Sequence, residues 1–145
     1  MFIRSMQGLG DSVYIRAFLK KFPDCYVETP WPQLLKDLPV KCVRPETQLR
    51  TQLRNVNREH DWHAPVGGQQ LRIAYGRDPI IQGLRKAFRC EPAEFDLPDF
   101  GPSPVEGRYV LVRPATVRTE WRADTRNPDP QYVASAAAEM RRRGY

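Results

Sequence analysis

The chain has 145 residues and a formal net charge of +6, and its shares of apolar (41%) and charged (28%) residues are normal for one globular domain. No apolar run approaches the roughly 20 residues that a membrane-spanning helix requires, and the N-terminus lacks the layout of a secretory signal, so a cytoplasmic location is expected. The positive charge favours anionic partners, and three cysteines without a C-x-x-C pair indicate reduced, mostly buried thiols rather than a disulfide framework or a zinc knuckle.

The first part of the chain alternates strand and helix patterns. Near-continuous apolar runs indicate buried parallel strands, and proline ends the first helix and opens the second. The predicted elements are a strand at 1–6, a helix at 12–22, a strand at 25–29, a short helix at 30–38 and a strand at 40–45. This βαβαβ order predicts an α/β fold, a Rossmann-like parallel sheet with helices on both faces.

An apolar stripe defines the first predicted helix. Tyr14, Phe18 and Phe22 recur every four residues, so one face of the helix is predicted to pack on the sheet. Arg16 and Lys20 lie off this stripe, on the polar side of the helix.

The segment Glu46–Gln70 is polar and irregular, and we expect a partial helix there followed by an exposed loop. A strand at 71–76 and a helix at 78–88 come next, with Asp78 as the predicted helix cap and Pro79 at the first helical position.

A proline-rich link at 91–107 predicts a change of domain, because it cannot continue a helix or a central strand. The predicted domains are therefore 1–106 and 107–145. The second contains a strand at 108–114, a basic loop and a helix at 128–144 capped by Asp129. The predicted inner stripe of that helix is Tyr132, Val133, Ala136 and Met140. A β-loop-α unit without a second strand indicates that a longer architecture has been cut here.

The turn QGLGD, at 7–11, is the most informative local motif. Gly8 and Gly10 suit backbone angles closed to other residues, close approach of a ligand, or both. Asp11 follows at the edge where doubly wound sheets bind ligands, although a helix N-cap is the alternative interpretation. A dinucleotide site is disfavoured, because Val13 replaces the third glycine of G-x-G-x-x-G and an acid stands where pyrophosphate would bind.

Two stretches carry a family resemblance: GLGDSVYIRAFLKKFPD at 8–24 and YVLVRPATVRTEWRADTRNPDPQYVASAAAEMRRRGY at 109–145. They resemble the start of the acceptor domain and the first unit of the donor domain in the heptosyltransferase-like glycosyltransferases of lipopolysaccharide and phage systems. The resemblance implies the N-terminal half of a GT-B fold followed by an incomplete nucleotide-sugar domain. One departure is RPAT at 113–116, where many members carry His-Pro-Gly or His-Ala-Thr.

The resemblance implies inverting, metal-independent transfer of a sugar from a nucleotide-sugar donor to a saccharide or glycolipid acceptor. Asp11 would be the general base, and the acceptor-side turn would be Gly8, Gly10 and Ser12. The implied donor phosphate-binding residues are Arg113, Thr116, Arg118 and Arg122. No cofactor is implied beyond the nucleotide sugar as co-substrate, and the missing donor domain, or a second chain that supplies it, would be a further partner.

A second class of function stays open from the residues alone: a non-catalytic, basic Rossmann-like module that binds nucleic acid or an anionic glycan. Arginines around Trp121 would suit base stacking, but the basic residues are scattered rather than striped. His60 and His63 have H-x-x-H spacing without a third ligand, so no metal site is expected. Two interpretations stay open for four further arginines, which either line the acceptor side of the implied cleft or cover an exposed helix: Arg44, Arg50, Arg54 and Arg58.

Overall fold

The computed structural model describes residues 1–112 and 127–145. The chain divides into two units, Met1–Asp99 and Phe100–Tyr145. The domain boundary predicted between residues 106 and 107 therefore falls within the second unit.

Four short parallel strands form the sheet of the first unit. They are β1 (Phe2–Arg4), β2 (Tyr26–Glu28), β3 (Lys41–Val43) and β4 (Gln70–Arg72). The spatial order is β3-β2-β1-β4, and Ile3 of β1 is in register with Val27 of β2 and Leu71 of β4. The predicted α/β class with a parallel sheet is confirmed, and the order is that of the first four strands of a doubly wound, Rossmann-like sheet.

Helices connect these strands. They are α1 (Leu9–Leu19), a 3₁₀ helix (Pro32–Leu35), α2 (Arg50–Val56) and α3 (Ile80–Phe88). Helix α1 contacts both α3 and the 3₁₀ helix. Phe18 of α1 stacks on Phe88 of α3 with ring centroids 5.3 Å apart, and Ile3 and Leu84 are fully buried in the same core. The hydrophobic stripe predicted for α1 is therefore confirmed at Phe18, but Tyr14 is 37% exposed and Phe22 lies beyond the end of α1. The helix also begins three residues earlier than expected.

Arg16 is the main departure from the predicted core. The side chain is 1% exposed instead of lying on the polar side of α1. Its guanidinium donates two hydrogen bonds of 2.6 Å to the Asp37 carboxylate, one of 2.9 Å to the Leu34 carbonyl and one of 3.0 Å to Asp96. Since Asp96 belongs to the proline-rich link, this one side chain joins α1, the 3₁₀ helix and the link. The sequence pattern failed here because a four-residue spacing does not show which charged side chain will find buried acceptors.

Two cysteines lie in the core, as expected. Cys25 and Cys42 are buried and unpaired, whereas Cys90 is half-buried. Burial raises the pKa of the Cys25 and Cys42 thiols to about 11, so both are protonated at neutral pH. These thiols therefore act as small apolar core groups.

The predicted cap of α3 is wrong. Pro79 is the N-cap residue, and no side chain bonds to the free N–H groups of the first turn. The Asp78 carboxylate instead accepts a 2.8 Å hydrogen bond from Lys86 Nζ. The Asp78 carboxylate thus bonds to an exposed cation of α3 instead of to the N–H groups at the start of that helix.

The second unit contains α4 (Pro130–Arg142). Asp129 Oδ1 accepts a 2.8 Å hydrogen bond from Gln131 N, so the predicted cap is confirmed. The predicted inner stripe is wrong at Tyr132, which is 72% exposed, whereas Val133, Ala136 and Met140 are half-buried; no residue of α4 is fully buried. The strand expected at 108–114 is absent from 108–112, and 113 and 114 lie outside the described residues. A strand needs a partner to bond its backbone, and no described strand pairs with this segment.

Among the helices of the two described ranges, none has the length and apolar character needed to cross a lipid bilayer.

Replacement of Arg16 by Met should lower the free energy of unfolding by about 2–3 kcal/mol, because the Leu34 carbonyl loses its donor and two carboxylates lose charge-assisted bonds. Urea denaturation at neutral pH measures the change. Arg85→Met is the matched control, since Arg85 makes only an exposed ion pair with Glu91 and its loss should cost less than about 1 kcal/mol. Equal losses in the two variants would contradict the assigned role of Arg16.

The hydrogen bonds from Arg16 hold the pKa of the Asp37 carboxyl below its usual range. A carboxyl whose pKa is lower in the folded than in the unfolded chain stabilises the fold above the unfolded pKa of about 3.9 and loses that contribution as the pH falls. The wild-type chain should therefore exceed Asp37→Asn in stability at about pH 6, and the difference should shrink below about pH 4. Denaturation curves over this range test the prediction, and a difference independent of pH would contradict it.

Candidate functional site

The carboxyl ends of β1 and β4 lie side by side where the strand order reverses. From β1 the chain passes to β2 and β3 on one side, and β4 returns to pair with the other side of β1. Open parallel sheets bind ligands outside the carboxyl ends of their strands at such a reversal. Three polar side chains belong to the segments that follow these strand ends: Ser5 after β1, Asp11 in the first turn of α1 and Tyr75 after β4.

Asp11 is a half-buried carboxylate near the N-terminus of α1. It forms no ion pair within the described ranges. The N-cap of the helix is Gly8 and not Asp11, so the alternative interpretation of Asp11 as the N-cap is excluded. The first turn of a helix favours negative charge, which explains why an acid is tolerated here without a cation beside it.

Gly8 has a steric role that differs from the predicted one. Its φ of −67° and ψ of 151° are open to any residue, and Gly10 also lacks a positive φ. The expectation of unusual backbone angles in this turn is therefore wrong. A Cβ atom on Gly8, however, would lie 2.3 Å from Asp11 Oδ2, whereas a Cβ on Gly10 would meet nothing within 4 Å. Gly8 thus leaves room for the carboxylate of Asp11.

Ser12 is buried inside the turn. Its hydroxyl donates a 3.1 Å hydrogen bond to the Gly8 carbonyl, so it braces the start of α1.

Two hydroxyl groups near Asp11 lack a hydrogen-bond partner of good geometry among residues 1–112 and 127–145. Ser5 Oγ and Tyr75 Oη are buried atoms, and neither makes a hydrogen bond of good geometry. Both Ser5 and Asp11 are close enough to Tyr75 to affect its pKa. Burial raises the pKa of Tyr75 to about 12, the Ser5 hydroxyl lowers that pKa, and the negative charge of Asp11 raises it further. Buried polar groups without partners are rare in folded proteins, and they indicate a position where a ligand or water completes the bonding.

Helix α3 positions Tyr75. A Cβ atom on Gly83 would lie 3.0 Å from the Tyr75 ring and 3.2 Å from its Cα atom, so a side chain there would push the helix and the tyrosine apart by a few tenths of an ångström. Sequence analysis missed Ser5 and Tyr75. The available signal was a hydroxyl-bearing residue one position before the end of each predicted strand, at the edge where Asp11 was expected.

A second carboxylate, Glu28, ends β2 at the same edge, but its charge is compensated. Glu28 lies 3.0 Å from Arg4 Nε and accepts a hydrogen bond of 3.4 Å from Gln7 Nε2. The Arg4 contact has the distance of an ion pair without hydrogen-bond geometry, since Arg4 Nε has no hydrogen-bond partner. Asp11 is therefore the acid of this edge that is left without a cation.

The predicted donor-side residues, Arg113, Thr116, Arg118 and Arg122, lie outside the described residues. No group of three His, Cys, Asp or Glu side chains suited to a metal ion occurs within 1–112 and 127–145. His60 packs edge-to-face on Trp62, with ring centroids 4.9 Å apart, and His63 Nδ1 lies 3.1 Å from the Asp61 carbonyl oxygen.

Comparison with models of protein families, with curated proteins and with solved structures gave no match for this chain. The fold and the site together define an α/β protein with a parallel sheet and a carboxylate-hydroxyl cluster at its strand-order reversal. The resemblance to heptosyltransferase-like enzymes stays a prediction.

Removing the charge of Asp11 should lower the pKa of Tyr75, because part of its rise comes from that carboxylate. In an NMR titration of ¹³C-labelled tyrosine, Tyr75 of the wild-type chain should remain protonated at about pH 11, where exposed tyrosines have ionised. Asp11→Asn should move its midpoint downward and Ser5→Ala upward. Tyr75→Phe assigns the resonance, and a midpoint unaffected by Asp11→Asn would show that the two groups are not neighbours.

Proposed function

We propose that the first unit binds the acceptor of a glycosyl transfer reaction, with Asp11 as the general base. The observation that carries the proposal is the half-buried carboxylate of Asp11, which lacks an ion-pair partner among the described residues and lies at the strand-order reversal. Beside it are two buried hydroxyls, Ser5 and Tyr75, that make no hydrogen bond of good geometry with any described residue. The family resemblance of the turn at 8–11 supports the same role. In the same proposal the sheet is the N-terminal half of a GT-B fold, and 107–145 begins the donor domain.

The chemistry of the cluster favours a neutral, hydroxylated ligand. A free helix N-terminus attracts phosphate, but here Asp11 already supplies the negative charge, so a second anion would be repelled. Ser5 and Tyr75 each carry a hydroxyl that both donates and accepts hydrogen bonds. Two such groups and one carboxylate match neighbouring hydroxyl groups of a saccharide.

The proposed reaction is an inverting displacement. The acceptor hydroxyl oxygen forms a bond to the anomeric carbon of the donor sugar, and its proton passes to the Asp11 carboxylate. The bond from the anomeric carbon to the diphosphate breaks on the opposite face, and the nucleoside diphosphate leaves with the electron pair. A positioned base contributes about 10²–10⁴-fold to such a step. Arg113, Thr116, Arg118 and Arg122 are proposed to hold the donor phosphates.

Asp11→Asn should reduce kcat by about 10²-fold or more while changing the acceptor KM by less than about threefold, because the amide keeps the shape of the site but cannot accept the proton. The rate is measured with the donor domain present, as an extension of the chain or as a second chain, and is followed as release of nucleoside diphosphate from a panel of nucleotide sugars with saccharide acceptors. Asp61→Asn, which neutralises an exposed carboxylate elsewhere, is the control and should retain full activity. An unchanged rate in Asp11→Asn would remove Asp11 as the base.

Gly8→Ala is a second test of the role of the Asp11 carboxylate. Its Cβ would displace the Asp11 carboxylate, so activity should fall although Asp11 is intact, and Gly10→Ala should have little effect on the rate.

Saccharide binding is followed separately by ligand-observed NMR and should weaken in Tyr75→Phe. A chain that binds none of the saccharides but retards nucleic acid with steep salt dependence would favour the non-catalytic alternative.

A further inference from the structure

A cavity lies between the 3₁₀ helix and the C-terminal end of α2, and we name it the α2 cavity. Its volume is about 290 Å³, and its polar and charged lining comes from Gln33, Lys36, Asn55, Arg58, Glu59 and His60, with Pro32 as an apolar wall. None of these residues belongs to the Asp11 cluster. The α2 cavity is therefore a separate place to look for a ligand, and it does not depend on the function proposed above.

A pair of side-chain amides anchors one side of the α2 cavity. Asn55 Nδ2 donates to Gln33 Oε1 at 3.1 Å, and Gln33 Nε2 donates to Asn55 Oδ1 at 3.3 Å. Asn55 Nδ2 also donates to the carbonyl of Pro30, and Asn55 is only 8% exposed. The second N–H of Gln33 Nε2 forms no bond within the described ranges, so a positioned donor is available to a ligand.

The charges around the α2 cavity favour an anion. Its lining carries the Arg58 guanidinium, the titratable His60 and Lys36, whose Nζ already donates to the Asp99 carbonyl, against the one carboxylate of Glu59. The Arg58 guanidinium forms no ion pair or hydrogen bond with any side chain that the structure describes. Guanidinium presents a planar array of N–H donors that matches the oxygen atoms of a phosphate or carboxylate group.

We infer that the α2 cavity binds a small ring compound that carries one anionic group, a phosphate or a carboxylate. Arg58 pairs with the anionic group, Gln33 donates to a hydroxyl or carbonyl oxygen, and the ring lies against Pro32 and the His60 imidazole. The volume is at the lower end of ligand pockets, which suits a compound of one ring and excludes a dinucleotide.

Binding is tested by isothermal titration and protein-observed NMR with four probes: glucose 6-phosphate, glucuronate, inorganic phosphate and glucose. The two sugar anions distinguish phosphate from carboxylate, inorganic phosphate tests the anionic group without the ring, and glucose tests the ring without the charge. We expect at least one sugar anion to bind with a dissociation constant on the order of 1 mM or tighter, and more tightly than either glucose or inorganic phosphate. The shifted NMR signals should be those of Gln33 and Asn55.

Arg58→Ala should weaken this binding about tenfold or more, and Arg54→Ala is the matched control. Both arginines are exposed, but Arg54 does not line the α2 cavity, so its loss should leave the affinity unchanged. Asp11→Asn should also bind the sugar anion normally, which separates this inference from the proposed glycosyl transfer. The inference is overturned if no probe binds, if glucose binds as well as its phosphate, or if Arg58→Ala and Arg54→Ala lose affinity equally.

Discussion

The buried guanidinium of Arg16 is the interaction on which the first unit depends. A cation that is 1% exposed would be too costly to bury without partners, and here two carboxylates and a backbone carbonyl satisfy it. Because those acceptors come from the 3₁₀ helix, its following turn and the proline-rich link, the same bonds fix α1 against both. The position of α1 in turn fixes where Asp11 lies at the edge of the sheet.

The strand order then brings separate parts of the chain to one place. β1 is paired on both sides, so the segments after β1 and β4 end at the same edge next to the start of α1. Ser5, Asp11 and Tyr75 meet there because of this order. Their surroundings differ from those of Glu28, whose charge Arg4 compensates. One edge of a parallel sheet thus carries both a structural carboxylate and an available one.

Charge is segregated along this edge. The Asp11 cluster is acidic, and the α2 cavity, built on segments that follow β2 and β3, is predominantly basic. The Gln7 carbonyl links the loops between them, since it accepts a 2.9 Å hydrogen bond from Trp31 Nε1 and a 2.8 Å hydrogen bond from Gln52 Nε2. The first unit therefore offers two chemically distinct surfaces, one around the Asp11 carboxylate and one around the Arg58 guanidinium.

The sequence by itself determined the alternation of strands and helices, the Asp129 cap and the location of Asp11 close after β1 at the start of a helix, because each depends on residues close together along the chain. Only the tertiary structure decided that Arg16 is buried and that Ser5 and Tyr75 lie beside Asp11. Those outcomes depend on which distant segments supply hydrogen-bond acceptors and on which strands become neighbours. Local periodicity encodes neither, since both are fixed when the strands pair and the helices pack.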